Sequence, residues 1–203
     1  MTKPAGFYAS TVAHSSATDD WPTPQSFYDR LNKEFKFVLD VAASSRNALC
    51  PDYYGLDHPN PARRDALTKD WAAEAKALGG AIWMNPPYGL TIGAWMEKAL
   101  ATSQAGATVV CLVPARTCTT WFQDYAMYGS VRFVRGRITF GNATSGAPFP
   151  SAVVVFSPTG NPPEGSSAPT SAEHTAARSC TGEPLYVPVS CRWLSVSAPS
   201  TGG

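Results

Sequence analysis

The sequence predicts an α/β sandwich, because short apolar strands alternate with amphipathic helices through the middle of the chain. Apolar residues recur at helical spacing between residues 91 and 103. Residues 108–113 instead form a continuous apolar run, as expected of a strand that is covered on both faces. These two patterns, repeated along the chain, indicate layers of helix packed on a sheet.

The predicted elements follow one another from Trp21 to Phe156. Thr23 is a candidate N-cap and Pro24 the first residue of a helix in which apolar residues recur every four positions. Further helices are predicted over residues 91–103 and 119–128. Strands are predicted over residues 37–39, 81–84, 108–113, 131–134, 137–140 and 151–156.

Length and charge limit the classes of protein to which the chain can belong. It has 203 residues, of which 44% are hydrophobic, and its formal net charge is +1. That charge argues against a polybasic coat or histone-like protein, whereas a local basic patch would still serve a nucleic-acid enzyme. The sequence contains no apolar run of about 20 residues and no signal-peptide core, so we expect a cytoplasmic protein without a membrane span.

Composition divides the chain into three parts. After Phe156, 31 of the last 47 residues are Pro, Gly, Ser, Thr or Ala, which leaves too little apolar surface to offset the ordering entropy. We predict a flexible segment over residues 1–19, a folded domain over 20–157 and a disordered tail over 158–203, in which residues 185–194 could dock on the domain. Five scattered cysteines and three unclustered histidines predict neither a disulfide framework nor a metal site.

Two polar residues follow predicted strands directly. Asp40 ends the first strand and Asn85 follows the second. Ligands of α/β proteins bind at the carboxyl ends of the strands. We therefore expect Asp40 and Asn85 to lie at a ligand site.

The motif Asn85-Pro86-Pro87-Tyr88 carries the most specific chemistry in the sequence. The amide oxygen of Asn85 can accept a hydrogen bond from an amino group, and the carbonyl of Pro86 can be a rigid second acceptor. Tyr88 offers a flat face on which a planar base can stack. Two acceptors that converge on one amine orient its nitrogen towards an electrophile.

Two simpler interpretations of this motif are an exposed turn and a polyproline ligand of a small recognition domain. The motif follows a buried strand and leads into a helix, which argues against a simple turn. WW-type ligands have a residue between the proline pair and the tyrosine, and none is present here.

The sequence resembles the phage-type DNA N6-adenine methyltransferases from Trp21 to about Phe156. The resemblance implies a three-layer Rossmann-like methyltransferase sandwich with a mostly parallel central sheet, and S-adenosylmethionine as methyl donor. The glycine-rich donor loop of many methyltransferases is absent, as in the phage group. The motifs that carry the resemblance are residues 21–24, 37–43, 65–67 with 70–71, 83–89, 112–117, 121–122 and 136–140.

The resemblance also implies contacts to the donor. Asp40 would lie near its ammonium or sulfonium group, and Asp70 with Trp71 near its adenine, while Asp57 is a candidate for the ribose hydroxyls. Simpler roles are a turn cap for Asp40, a solvated loop acid for Asp70 and a helix cap for Thr23. The candidate donor-binding residues are Trp21, Thr23, Pro24, Asp40, Ala42, Asp57, Asp70 and Trp71.

Double-stranded DNA is the expected partner. Arginines crowd around Gly136 in a predicted hairpin whose side chains could reach phosphates, although alternating arginines also occur on solvated strand faces. No separate recognition domain fits, so loops 115–130 and 141–150 are the candidates for sequence recognition. The candidate DNA-binding residues are Lys98, Arg116, Arg132, Arg135 and Arg137.

The expected reaction is methylation of a flipped adenine at N6, with Asn85, Pro86, Pro87 and Tyr88 as the catalytic motif. Methylation of cytosine N4 is the nearest competing reaction, although those enzymes more often carry serine at the position of Asn85. Amino methylation of protein or RNA, and DNA binding without catalysis, stay open as well. Relatives are often encoded by phages and prophages, where methylation can protect DNA from host nucleases.

Overall fold

The computed structural model describes residues 21–141, 143–158 and 194–195. Its α-helices are α1 (Gln25–Phe35), α2 (Trp71–Leu78), α3 (Ile92–Gln104) and α4 (Thr120–Asp124). Short 3-10 helices cover Pro61–Arg63, Ala66–Thr68 and Ala126–Tyr128. The strands are β1 (Phe37–Asp40), β2 (Asp52–Tyr53), β3 (Ala81–Met84), β4 (Val109–Pro114), β5 (Ser130–Arg135), β6 (Ser151–Phe156) and β7 (Leu194–Ser195).

The strands form one mixed sheet in the order β2-β1-β3-β4-β6-β5-β7. The pairs β1–β2, β1–β3, β3–β4 and β5–β7 are parallel. Strand β6 is antiparallel to both of its neighbours, β4 and β5. The predicted α/β class and mostly parallel sheet are therefore confirmed, with one reversed strand between β4 and β5.

Burial of the central strands explains their apolar sequences. All residues of β3, β4 and β6 are buried, so each strand is covered on both faces. Helix α1 buries Phe27, Tyr28 and Leu31, and the Tyr28 ring contacts those of Phe37 and Trp83 at 5.3 and 5.5 Å between centroids.

Helices α2 and α3 lie side by side on the sheet. The Trp71 ring of α2 stacks on the Trp95 ring of α3 at 6.0 Å, and Trp71 is completely buried. The side chain of Asp70 accepts a hydrogen bond from Ala73 N–H and so caps the start of α2. Gly79, with a φ of 76°, ends the helix in the left-handed conformation that glycine adopts without strain.

Several sequence predictions of individual elements are confirmed and others are wrong. Strand 151–156 has the predicted bounds, and α3 covers nearly the predicted residues. Residues 119–128 form two short helices rather than one. The strand predicted over 137–140 is wrong, because Gly136 turns the chain at a φ of 83° and the Ile138 carbonyl accepts from Ala147 N–H in a loop.

The N-cap prediction for Thr23 is also wrong. Helix α1 begins at Gln25, and the residue before it, Pro24, supplies no side-chain hydrogen bond to its first turn. The carbonyl of Pro24 accepts from the backbone N–H groups of Phe27 and Tyr28. The hydroxyl of Thr23 is therefore available to another partner.

The two predicted terminal segments lie largely outside the described residues. Residues 1–19 and most of 158–203 are among those not described, and of the candidate docking patch 185–194 only Leu194 is described, at the start of β7. In the part of the chain that the structure describes, no helix has the length and apolar character needed to span a bilayer.

Candidate active site

The site lies at the carboxyl ends of β1 and β3, which are parallel neighbours in the sheet. Asp40 lies opposite Trp83 in the register, and the backbone N–H of Val41 donates to the Trp83 carbonyl at 3.1 Å. Asn85 directly follows Met84, the last residue of β3. The parallel pairing thus brings Asp40 and Asn85 to one edge of the sheet, where α/β proteins bind ligands.

A cavity of about 870 Å³ opens at this edge. That volume lies within the range of sites for small molecules and cofactors. Most of its wall is apolar, with carboxylates and amides at a few points. The lining residues are 21–23, 40–44, 47, 49, 54–57, 64–67, 83, 85–87, 91 and 95.

The side-chain amide of Asn85 is held in one orientation. Its Nδ2 donates to the Trp21 carbonyl at 2.7 Å and to Thr23 Oγ1 at 3.0 Å. A backbone carbonyl can only accept, so the atom facing Trp21 is the amide nitrogen. The opposite atom, Oδ1, is buried and has no hydrogen-bond partner among the described residues. Burial without a partner costs free energy, and an amino group placed at Oδ1 would remove that cost.

The carboxylate of Asp40 is buried in the cavity wall and is 3% exposed. Oδ1 accepts from Ala42 N–H at 3.3 Å, and Oδ2 accepts from Leu49 N–H at 3.1 Å. Burial raises the pKa of Asp40 to about 6, although the two backbone N–H groups partly oppose the shift. Asp40 therefore caps the turn that follows β1 and also presents a carboxyl group to the cavity.

Tyr88 lies next to the site but is covered. Its ring is 4% exposed and stacks on Trp21 at 6.5 Å, while the rings of Phe140 and Phe149 meet it edge-on. Its hydroxyl donates to the Leu112 carbonyl at 3.3 Å. Tyr88 is not among the cavity-lining residues, so a base that stacks on its ring must first displace another aromatic ring.

The segment before α1 supplies part of the cavity wall. Trp21 and Thr23 line the cavity and Pro24 does not. The Pro22 carbonyl accepts from Gly141 N–H at 2.9 Å, which ties this segment to the loop after β5. Of the three donor-binding residues predicted in this segment, Trp21 and Thr23 therefore lie at the cavity and Pro24 does not.

Another part of the cavity wall is built by two chain segments in close contact. Ala42 and Gly55 both line the cavity. A Cβ atom on Gly55 would lie 2.2 Å from the Ala43 carbonyl oxygen, so only glycine fits there. Asp57 lies at the exposed rim and accepts from the backbone N–H and the hydroxyl of Ser45. These bonds lower the pKa of Asp57 and keep it ionised.

The two predicted adenine contacts lie away from the cavity lining. Asp70 caps α2, and the buried Trp71 donates its indole N–H to the Ala66 carbonyl at 2.7 Å. The cavity instead receives Asp65, whose side chain makes no capping hydrogen bond. Asp65 belongs to one of the motifs of the resemblance, but no role was predicted for it.

Sequence reasoning also missed Trp95 and Thr91 as wall residues. Helical periodicity had assigned Trp95 to the core face of α3. Its packing against Trp71 agrees with that assignment, and its place at the helix start also brings it to the cavity. No local sequence signal distinguishes these two positions.

The candidate DNA-binding residues are in dissimilar surroundings. Arg132 pairs through two nitrogens with the Glu34 carboxylate, each at 2.7 Å, and lies 5.1 Å over the Phe35 ring. Lys98 lies 5.8 Å over the Trp71 ring. The remaining three, Arg116, Arg135 and Arg137, are exposed.

The hairpin predicted around Gly136 is not present in the described residues. Strand β5 pairs with β6 and β7, and the chain after Gly136 runs as a loop. Arg132 and Arg137 therefore do not share one ribbon. The described residues also contain no group of three or more His, Cys, Asp or Glu side chains placed to hold a metal ion.

Comparison with known proteins identifies the family of the chain. Residues 10–166 match a family model described as DNA N-6-adenine-methyltransferase (Dam). A DNA N-6-adenine-methyltransferase of Escherichia phage T1 is 27% identical over 118 residues, which cover 58% of this chain and 44% of the phage protein. The alignment thus spans less than half of that relative. Because the family match extends over most of the chain, this protein belongs to the DNA N-6-adenine-methyltransferase (Dam) family.

Proposed function

We propose that this protein transfers a methyl group from S-adenosylmethionine to the N6 amino group of an adenine in double-stranded DNA. The observation that carries the proposal is Asn85, whose buried amide oxygen lacks a partner among the described residues and lies beside the cavity that Asp40 also lines. Family membership and the phage relative support DNA adenine as the substrate. The phage relative also supports a reaction in the cytoplasm of an infected host.

We assign residues 20–157 to a three-layer Rossmann-like methyltransferase domain. Two observations support this assignment. The pairs β1–β3 and β3–β4 are parallel and form the centre of the sheet, and β6 is a single reversed strand beside β4. Helix α1 and the pair α2–α3 would form the two outer layers.

The residues of the cavity fit the methyl donor. S-adenosylmethionine supplies an electrophilic methyl group on a positively charged sulfur. The carboxyl group of Asp40 would favour the donor's positive charge, and the exposed carboxylates of Asp57 and Asp65 are acceptors for hydroxyl or amino groups. The small side chain of Ala42 leaves room for the donor to approach the backbone, and the Trp95 ring gives an apolar surface for its adenine.

Asn85 and Pro86 would then hold the target amine. Asn85 Oδ1 accepts one amino hydrogen and the Pro86 carbonyl accepts the other. With both hydrogens held, the nitrogen lone pair is directed out of the plane of these bonds, towards the donor side of the cavity. The contribution of the protein is mainly positioning, so a small displacement of Asn85 would slow the reaction strongly.

The target adenine must leave the DNA stack, because Asn85 Oδ1 is buried and cannot reach a base inside a duplex. Tyr88 would stack on the flipped base after one of the surrounding rings moves. Arg116, Arg135 and Arg137 are candidate phosphate contacts because they are exposed, and Lys98 is a further candidate. Arg132 is the weakest of the five candidates because it is paired with Glu34. Loops 115–130 and 141–150 are proposed to read the sequence.

The test is a transfer assay with labelled donor and unmethylated DNA, followed by digestion to nucleosides and identification of the labelled product. We expect N6-methyladenine. A product labelled at cytosine N4, or label found only in protein or RNA, would contradict the proposal. Sequencing of methylated positions in DNA from expressing cells would then give the recognition site.

A further inference from the structure

The feature that goes beyond the proposed function is the pair of hydrogen bonds that hold the Asn85 amide. The partners of Asn85 Nδ2 are 64 and 62 residues away in sequence, at the Trp21 carbonyl and Thr23 Oγ1. The carbonyl selects which end of the amide faces it. One hydrogen bond, however, still lets the amide plane tilt about the Cβ–Cγ bond, and a second bond restricts this motion.

We propose that Thr23 is a positioning residue, which fixes the amide plane of Asn85 so that Oδ1 faces the substrate amino group. This inference rests on the proposed function, in which Asn85 Oδ1 accepts from the target amine. In the opposite orientation, the amide nitrogen would present hydrogens to the hydrogens of the amine. Oδ1 would then also face the Trp21 carbonyl, which has no hydrogen to donate.

The surroundings of Thr23 agree with this role. Thr23 does not occupy the N-cap position of α1, since the residue before the helix is Pro24, which makes no side-chain capping bond. The segment is itself anchored, because the Pro22 carbonyl accepts from Gly141 N–H at 2.9 Å. A hydroxyl that positions another group must itself be held rigidly, because motion of the Thr23 segment would also move the Asn85 amide.

Thr23 also lines the cavity, so a direct contact with the donor is the competing role. The two roles predict different kinetics. A donor contact changes the donor concentration needed for half-maximal rate, and the loss is recovered at saturation. A positioning residue changes kcat and leaves both KM values unchanged.

The kinetic test uses Thr23→Val, which keeps the shape of the side chain and removes its hydroxyl. At saturating donor and DNA, we expect kcat to fall by about 3- to 10-fold, the usual effect of one hydrogen bond. Thr23→Ser, which restores the hydroxyl, should recover most of kcat. Thr108→Val is the matched control, because Thr108 precedes β4 at the opposite edge of the sheet.

A second measurement does not depend on catalysis. The side-chain amide protons of Asn85 can be followed by NMR in ¹⁵N-labelled protein and assigned by their loss in Asn85→Asp. We expect slow hydrogen exchange of these protons in the wild type and in Thr23→Ser, and faster exchange in Thr23→Val. Unchanged melting temperatures would show that the variants fold.

Each outcome decides the inference. Slow exchange retained in Thr23→Val overturns it, and so does a kcat that is unchanged or recovered by more donor. Lost protection together with reduced kcat supports it. A wild-type chain that methylates none of the substrates would remove the proposed function, and the exchange data alone would then decide whether Thr23 anchors Asn85.

Discussion

Asn85 and the stretch of arginines between residues 132 and 137 are both prominent in the sequence, yet their surroundings in the structure differ. At Asn85, distant segments converge on one cavity, and a buried oxygen is left without a partner among the described residues. In the arginine stretch the side chains separate. Arg132 pairs with Glu34, while Arg135 and Arg137 are exposed on either side of Gly136.

The difference shows which sequence patterns carry functional information. A polar residue at the carboxyl end of a parallel strand is placed at the ligand edge by topology alone. The surroundings of a charged side chain within a strand depend instead on the elements that pack beside that strand. For Arg132 this neighbour is the end of α1, where Glu34 and Phe35 bind the guanidinium group.

The largest effect should follow from Asn85→Ala. We expect kcat to fall by about 100-fold or more, because the acceptor that orients the amine is lost, as when other enzymes lose a preorganised polar group. Donor affinity, measured by calorimetry, should change little. Asn60→Ala, at an exposed 3-10 turn, is the control. Full activity of Asn85→Ala would show that Asn85 does not orient the amine, so that it would be no more informative than the arginine stretch.

Gly55→Ala tests how closely the cavity wall is packed. The new Cβ atom would lie 2.2 Å from the Ala43 carbonyl oxygen, and overpacking of this kind costs about 1–3 kcal/mol of unfolding free energy. We expect lower stability in urea and donor binding weaker by about tenfold or more. Gly93→Ala in α3 meets nothing nearer than 3.7 Å and should stabilise by about 0.5–1 kcal/mol. Equal stability of the two variants would contradict the close packing.

The raised pKa of Asp40 predicts opposite effects of pH on folding and on donor binding. Its folded pKa of about 6 exceeds the ordinary value of 3.8, so the free protein gains stability from Asp40 as the pH falls from about 6 towards 4. A cationic donor prefers the ionised carboxylate. Its affinity should therefore fall by about tenfold per pH unit below pH 6.

Calorimetry and urea unfolding between pH 5 and 7 test this prediction. The ammonium and carboxyl groups of an amino acid do not titrate in this window. Asp40→Asn removes the titrating group and should flatten both profiles. Donor affinity that stays constant from pH 7 to 5 in the wild type would show that Asp40 does not face the positive charge of the donor.

The smallest effects concern the arginines. Arg135→Ala and Arg137→Ala should each weaken DNA binding a few-fold and lower the salt slope by about 0.9, the effect of one phosphate contact. Arg132→Ala should leave that slope unchanged and reduce stability by about 1 kcal/mol or less, as for a partly exposed ion pair. A reduced salt slope in Arg132→Ala would show that its bond to Glu34 opens on DNA.

The predictable parts of the fold are those with long apolar patterns or a strand end. The apolar sequence of β6 and the helical periodicity of α3 predicted the bounds of both elements closely. The positions of Asp40 and Asn85 followed from the parallel pairing of their strands. The two-residue strand β2 was not predictable because it is shorter than any periodic pattern. Helix α2 was not predicted, because residues 72–80 are mostly alanine and glycine and show little difference between an apolar and a polar face.

Other parts depend on contacts between distant residues. Gly136 redirects the chain, so the alternating residues 137–140 never pair as a strand. Asp70 precedes a helix that no sequence pattern predicted, and its capping role was therefore missed. The bonds from Asn85 to the segment before α1 join residues more than 60 positions apart, a distance that no local motif encodes.

The shorter of those two bonds has a consequence for how this protein tolerates mutation. The acceptor at residue 21 is a main-chain oxygen, which every amino acid carries. A complete mutational scan would therefore report position 21 only through the tryptophan ring and would never delete the acceptor itself. Replacing the peptide bond after residue 21 with an ester would weaken its carbonyl as an acceptor. Backbone chemistry of this kind can detect a part of the site on which side-chain variation has no direct effect.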